Sequence, residues 1–181
     1  GLVAPVGLDV KSSWDNILAG KSGIKPITHF DIGPCSTRFG GPIYGFEISD
    51  YISEKEAKKM DKFIHYGMAA GCQAIADAGL EIDDSNRRRI GVAIGSGIGG
   101  ITGLENNYEA YRSKGPRRIS PFFVPANIIN MVAGNLSIKL GLKGPNYSIV
   151  SACSTATHNI GEAAIMIRHG YVDVMIAGGA E

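Results

Sequence analysis

From Ile90 onward, short apolar runs alternate with longer stretches of helical spacing, and this alternation limits the available folds more than any other feature. Ile90 to Ile94 predicts a strand, Gly95 to Gly100 a glycine-rich turn, and Ile101 to Arg112 a helix. Ser113 to Pro125 holds three prolines and reads as a loop. Ile128, Ile129, Val132, Leu136 and Leu140 follow helical spacing, with Gly141 as a natural stop. Tyr147 to Ala152 predicts a second strand, Ala156 to His169 a helix ended by Gly170, and Val172 to Ala177 a third strand. Strands that alternate with helices in this way predict an α/β fold with a largely parallel sheet. In such sheets function gathers at the carboxyl ends of strands.

The first half is less periodic. Ser12-Ser13 can cap a short helix over Trp14 to Ala19, ended by Gly20. Residues 23–53 carry Pro, Gly and Asp punctuation, with extended pieces such as Ile43 to Ile48. Residues 54–79 form the longest helical pattern. No repeat, low-complexity tract or clean linker divides these elements.

At 181 residues the chain is one domain or a piece of a larger one. Its residues are 44% hydrophobic and 19% charged, which excludes disorder. A formal net charge of +1 gives no global charge excess for binding nucleic acid. Glycine, at 25 residues, is about twice its usual ~7% share and has no triplet period, so tight turns and close backbone approaches are expected. Cys35, Cys72 and Cys153 are odd in number and widely spaced, without C-x-x-C or Cys/His ligand spacing. A disulfide framework and a zinc site are therefore not expected, and a reducing compartment, the cytoplasm, is favoured. No run approaches the ~18 apolar residues of a membrane span. Gly1-Leu2-Val3-Ala4-Pro5 lacks the basic flank of a signal peptide and reads as a chain entered midway.

Gly95-Ser96-Gly97-Ile98-Gly99-Gly100 matches G-x-G-x-x-G, the phosphate-cradling turn of dinucleotide sites. Such a site needs an acid about 20 residues further on, after a second strand. Around Gly115–Ser120 there is neither acid nor strand, and Glu105 and Glu109 lie too early, inside the helix. The glycines are better read as permitting close backbone packing, with Ile98 as an apolar wall.

Ser148-Ile149-Val150-Ser151-Ala152-Cys153-Ser154-Thr155-Ala156-Thr157 is the most informative stretch. An apolar strand runs into a cysteine among small residues, and a helix begins within a few positions. This layout exposes the side chain at a sharp turn and aims a helix N-terminus at it, which favours thiolate over thiol. Backbone N–H groups at such a turn can hold an oxyanion. It is the logic of a nucleophile elbow with sulfur in place of oxygen. Cys35, in a Gly/Pro loop, and Cys72, near an apolar helix face, read as structural. Of the four histidines, His29, His65, His158 and His169, none is convincingly placed as a base. His158, five residues past Cys153 on a helix, points away from it.

On the long helical pattern, stepping about 100° per residue puts Lys55, Lys58, Lys59 and Lys62 within an arc of roughly 100°. Ala57, Met60, Ile64, Met68, Gly71 and Ile75 cluster opposite. The basic side reads either as a solvated face or as a docking strip for an acidic partner, and Arg117-Arg118 could add a second basic contact. No aromatic residues interleave with these charges, which argues against nucleic acid.

Together, Ile94 to Gly100, Arg118 to Pro125, Ser151-Ala152-Cys153-Ser154 with His158-Asn159-Ile160-Gly161-Glu162-Ala163-Ala164, and Asp173 to Glu181 give the chain a family likeness. It resembles the β-ketoacyl-acyl-carrier-protein synthases, in particular the elongating type II condensing enzymes of bacterial fatty acid synthesis. The resemblance covers essentially residues 1–181. It implies a thiolase-like α/β fold of two similar halves, a five-layer α-β-α-β-α sandwich when complete, usually homodimeric. This chain resembles the first half, without its opening strand. In the family an acyl group passes from the phosphopantetheine arm of acyl carrier protein to the cysteine matching Cys153. Malonyl-carrier protein then loses CO2, and its carbanion attacks the thioester. Two histidines and a lysine that assist decarboxylation belong to the second half. One oxyanion donor would be the Cys153 N–H and the other lies in that second half. Ile98 and Phe123 match acyl-pocket positions. Lys55, Lys58 and Lys59 match the docking surface for the acidic carrier protein, with Arg117 and Arg118 as further contacts. No cofactor or metal, no nucleic acid and no membrane is implied. The alternatives are a polyketide-type ketosynthase, a coenzyme A-using thiolase-fold acyltransferase, a non-catalytic ketosynthase-like partner subunit, or an inert fragment.

Overall fold

Asp9 starts the first helix. Its carboxylate accepts the Ser12 N–H at 2.6 Å while the Ser12 hydroxyl accepts the Asp9 N–H at 3.4 Å. This capping box opens α1 (Val10–Leu18), about one turn earlier than the Ser12-Ser13 cap expected from sequence. The computed structural model describes residues 1–181, and these divide into two units, Gly1–Glu47 and Ile48–Glu181. In the first unit, β1 (Lys25–Pro26) pairs antiparallel with β2 (Phe39–Gly40). The Tyr44 hydroxyl ties down that region by donating to the Pro26 carbonyl at 2.8 Å. The extended piece expected over Ile43 to Ile48 does not form; Tyr44 to Phe46 belong to no strand, and Ile48–Asp50 is a 3-10 turn.

The second unit opens with a break where one long helix was expected. Ser53 and Glu56 form a capping box that starts α2 (Glu54–Ala57), a single turn. The chain then turns, and Asp61, in extended backbone, begins α3 (Lys62–Asp77). Asp61 does not cap its own helix. Its carboxylate accepts the Gly103 N–H at 2.6 Å, at the start of α4 (Ile101–Lys114). The remaining elements are β3 (Ile90–Gly95), α5 (Phe123–Asn127), α6 (Met131–Leu140), β4 (Asn146–Tyr147), α7 (Thr155–Arg168) and β5 (Val174–Gly179). The expected proline loop therefore holds a 3-10 turn, Pro116–Arg118, and the start of α5. Gly141 ends α6 in the left-handed conformation, as its position suggests.

The three longer-range strands form a parallel sheet in the order β4-β3-β5. The central strand is buried along its whole length, because helices cover both faces of the sheet. Val92, Ile94 and Ile176 face α3 and α6 and share a core with Ile64, Met68, Val132 and Leu136. Gly67 and Gly71 let α3 approach α6 closely: a Cβ at these positions would lie 2.4 Å from Val132 and 2.7 Å from Leu136. On the opposite face, α7 lies against Gly95 and Gly179. No helix is long and apolar enough to cross a membrane.

Candidate active site

The three parallel strands end on the same side, and their continuations line one cavity of about 390 Å³. After β3 comes the turn Ser96 to Gly99. After β4 comes the segment leading to Cys153. After β5 come Ala180 and Glu181. This is where an α/β sheet of this kind places its chemistry, and the volume lies in the range of small-molecule sites.

The strand expected over Tyr147 to Ala152 is cut short, because α7 takes over its hydrogen bonding. β4 pairs only at Asn146 and Tyr147. Beyond it, the fully buried Asn159 of α7 accepts the Ile149 N–H at 3.1 Å and donates to the Ile149 carbonyl at 3.0 Å. Its amide also donates to the Thr155 carbonyl at 2.8 Å. The Ser151 N–H donates to the Thr155 hydroxyl at 2.9 Å, and the Ser154 hydroxyl donates back to the Ser151 carbonyl at 2.7 Å. The helix thus grips the segment with its own side chains and leaves a tight elbow. Ala152 sits at φ +50°, the one non-glycine residue with positive φ, a conformation that persists only where surrounding contacts impose it. A 3-10 turn, Ala152–Ser154, then runs directly into α7. Cys153 is exposed at this elbow and lines the cavity, adjacent to the N-cap Ser154.

His158 does not simply point away. Its Nδ1 is hydrogen-bonded to the Ser151 hydroxyl, which also lies 3.2 Å from the Ser154 hydroxyl. The histidine braces the elbow through Ser151 and makes no hydrogen bond to Cys153. Helical spacing hid this, because the segment before the helix folds back along its first turn.

The glycine turn has its own carboxylate. Glu181 accepts the Gly97 N–H at 2.6 Å, the Ile98 N–H at 3.1 Å and the Ser96 hydroxyl at 3.1 Å. N–H donors that a phosphate would need are thus already engaged, which agrees with setting the nucleotide motif aside. Glu181 ends a stretch that carries the family resemblance, but nothing in the sequence assigns it a role. The parallel register does, since Gly95 pairs with Gly179 and the following residues continue side by side.

Other expected site residues are only partly gathered. Ile98 is 70% exposed and lines the Cys153 cavity. Phe123 does not join it; it lines a separate apolar hollow of about 340 Å³ with Leu104, Tyr108, Tyr111 and Ile119. The helix break corrects the single-helix phase that grouped the lysines: Lys55 lies on α2, Lys58 and Lys59 in the turn, and Lys62 on α3. Lys55 and Lys58 are exposed, and Lys59 places its ammonium 5.2 Å from the Phe122 ring centroid. That contact joins the lysine segment to the stretch carrying the exposed Arg117 and Arg118. Cys72 is half-buried, and burial pushes its thiol above the ordinary range, in keeping with a structural role. Cys35, by contrast, is exposed in its loop and contributes nothing to a core.

A cysteine on a strained elbow between a parallel strand and a helix, at the mouth of an apolar cavity, has the layout of a nucleophile site in an α/β domain. Solved structures share this fold. The ishigamide ketosynthase/chain length factor superposes with a TM-score of 0.89 at 24% identity, covering 100% of this chain and 45% of that one. A β-ketoacyl synthase from Burkholderia phymatum STM815 gives 0.82 at 26% identity over 99% of this chain and 44% of that one. A type II polyketide ketosynthase solved in complex with its acyl-carrier protein gives 0.81 at 22% identity, over 99% of this chain and 48% of that one. The chain belongs to the β-ketoacyl synthase family, whose N-terminal domain model matches residues 1–181. It is 58% identical to the 3-oxoacyl-[acyl-carrier-protein] synthase 2 of Vibrio cholerae serotype O1 and 48% identical to that of Staphylococcus aureus, over 181 residues in each case. It spans 44% of the length of each of these relatives.

Proposed function

We propose that this chain is the N-terminal half of a 3-oxoacyl-[acyl-carrier-protein] synthase that elongates fatty acids, with Cys153 as its nucleophile. The observation that carries this is the exposed Cys153 on the Ala152 elbow, opening into the cavity beside Ile98. The Cys153 thiolate attacks the carbonyl of an acyl thioester on the carrier protein. The tetrahedral oxyanion collapses, the carrier's sulfur leaves as a thiolate, and the acyl group remains on the Cys153 sulfur. Malonyl-carrier protein then loses CO2, and the resulting carbanion attacks the acyl-cysteine. The product is a 3-oxoacyl-carrier protein, with Cys153 freed for another cycle.

Within this chain, the N–H of Cys153, at the start of the helical turn, serves as one oxyanion donor. The decarboxylation groups and the second donor belong to the rest of the protein. Ile98 walls the acyl site. Lys55, Lys58, Lys59, Arg117 and Arg118 dock the acidic carrier protein. A ketosynthase of the same fold is known in complex with its carrier protein, which supports this partner. The exposed apolar row Ile101, Leu104 and Tyr108 on α4 supports a homodimer. Three unpaired cysteines fit the cytoplasm.

Intact-protein mass spectrometry of the full-length protein incubated with acyl-carrier protein tests the assignment. One acyl adduct is expected, mapping to Cys153 and absent from Cys153→Ala. An adduct that survives this substitution refutes it. Retention of the cysteine argues against a non-catalytic partner subunit, and the basic residues favour a carrier protein over coenzyme A as acyl donor.

A further inference from the structure

We propose that Glu181 is a positioning residue: it fixes the apolar wall beside Cys153 and so helps decide which acyl chains the site accepts. This rests on the acyl-transfer reading given above. The ladder between β3 and β5 runs in register to Gly95↔Gly179, and the Ala180 N–H extends it by donating to the Gly95 carbonyl at 3.0 Å. That register delivers the Glu181 carboxylate to the turn after β3. There it accepts the Gly97 and Ile98 N–H groups directly, at 2.6 and 3.1 Å. It also accepts the hydroxyl of Ser96, a side chain only 1% exposed. The same Ser96 oxygen accepts the Gly99 N–H at 2.9 Å. One carboxylate therefore holds four consecutive residues, two through their own N–H groups and two through Ser96.

The turn is confined from the other side as well. A Cβ on Gly97 would stand 3.1 Å from the Glu181 carboxylate and 3.5 Å from Ala152 Cα, so Gly97 fills the gap between the carboxylate and the elbow. Ile98, the next residue, is 70% exposed, so side-chain packing within this chain holds it little. Its placement beside Cys153 follows from the backbone at 97–99, and that backbone follows from Glu181. Charge-assisted hydrogen bonds of this kind are the stronger and geometrically stricter ones. An acyl chain on Cys153 passes this wall, so releasing the turn lets Ile98 withdraw and admits longer chains.

The test uses the full-length protein, wild type and the Glu181→Gln and Glu181→Ala variants. Each is offered an equimolar mixture of octanoyl- and hexadecanoyl-carrier protein, and the Cys153 adducts are counted by mass spectrometry. The rate of Cys153 alkylation by iodoacetamide is measured in parallel. The long-to-short adduct ratio is expected to rise about tenfold in Glu181→Ala, the size of a methylene-scale change in an apolar pocket. Glu181→Gln, which keeps one acceptor oxygen, should fall between it and wild type. Alkylation should stay within about twofold in both, which a general loosening of the elbow would not allow. An unchanged ratio in either folded variant overturns the inference, as does equal loss of both adducts together with slower alkylation. If Glu181→Ala does not fold, Glu181→Gln alone decides. Wild-type protein that takes up neither acyl group overturns the acyl-transfer reading and this inference with it.

Discussion

Replacing Asn159 by alanine should loosen the segment that carries Cys153 without touching the cysteine. Asn159 has no exposed surface and spends both its polar atoms on backbone groups. Removing its amide orphans the N–H and the carbonyl of Ile149; the Thr155 carbonyl keeps its place in the helix ladder. An orphaned buried group costs about 1–3 kcal/mol. Ile149 is only half-buried, so water recovers part of this, and the lower end applies to each group: about 2–3 kcal/mol in all. That is a large share of the ~5–15 kcal/mol that holds a domain together. Read as local opening, it means faster exchange of the Ile149 amide by about 30- to 150-fold. Native-state hydrogen exchange with peptide-level mass spectrometry measures this directly. Asn159→Asp supplies a sharper control. Its carboxylate can still accept the Ile149 N–H, but it turns a second oxygen toward two carbonyls. Burial and that repulsion raise its folded-state pKa above the unfolded value of about 3.9. A raised carboxyl pKa gives stability that is present at low pH and lost as pH rises through the folded value. The aspartate variant should therefore match wild type best in acid and worst near neutrality. Protection of Ile149 within threefold of wild type in Asn159→Ala, or a pH-independent defect in Asn159→Asp, would mean that the Asn159 amide does not hold this segment in place.

Three further outcomes are expected. Gly95→Ala should destabilise the protein by about 1–3 kcal/mol or more, because its Cβ would stand 2.4 Å from the Ile149 carbonyl oxygen; an unchanged thermal midpoint contradicts this. The Arg89 guanidinium donates to both Asp173 oxygens, at 2.6 and 3.0 Å, and holds that carboxyl below the usual range. A depressed carboxyl pKa contributes stability above its unfolded value that is lost as pH falls through the folded one, so the stability gap between wild type and Arg89→Met should shrink from about pH 5 toward pH 2. Urea titrations across that range check it, and a constant gap removes the pair from the acid response. Finally, Lys55→Glu, Lys58→Glu and Lys59→Glu together should weaken acyl-carrier-protein binding, with the difference fading as salt is added. Unaltered affinity at low ionic strength would reduce these lysines to surface decoration.

Much of this was legible in the residues. The strand at Ile90, the glycine turn, the helix after it and the αL stop at Gly141 all follow from local rules. So does the placement of Cys153 between an extended segment and a helix. The breaks came where two local preferences competed. Residues 54–79 carry one continuous helical periodicity, yet Asp61 is drawn out of it by the Gly103 N–H on another helix, a partner that periodicity does not describe. Tyr147 to Ala152 has strand composition, but the α7 side chains of Asn159 and Thr155 hydrogen-bond the backbone at Ile149 and Ser151 that a ladder would have used. The family resemblance pairs Phe123 with Ile98, yet Phe123, at the start of α5, lines another hollow.

The chain of amino acids alone placed Cys153 between an extended segment and a helix, since a strand ending in small residues before a helix leaves few other geometries. What surrounds that sulfur was decided by register. Glu181 lies 85 positions from Ser96 yet bonds it, because parallel strands align their ends regardless of the sequence between them. Distances of that kind are properties of the packed sheet, and no window of neighbouring residues contains them.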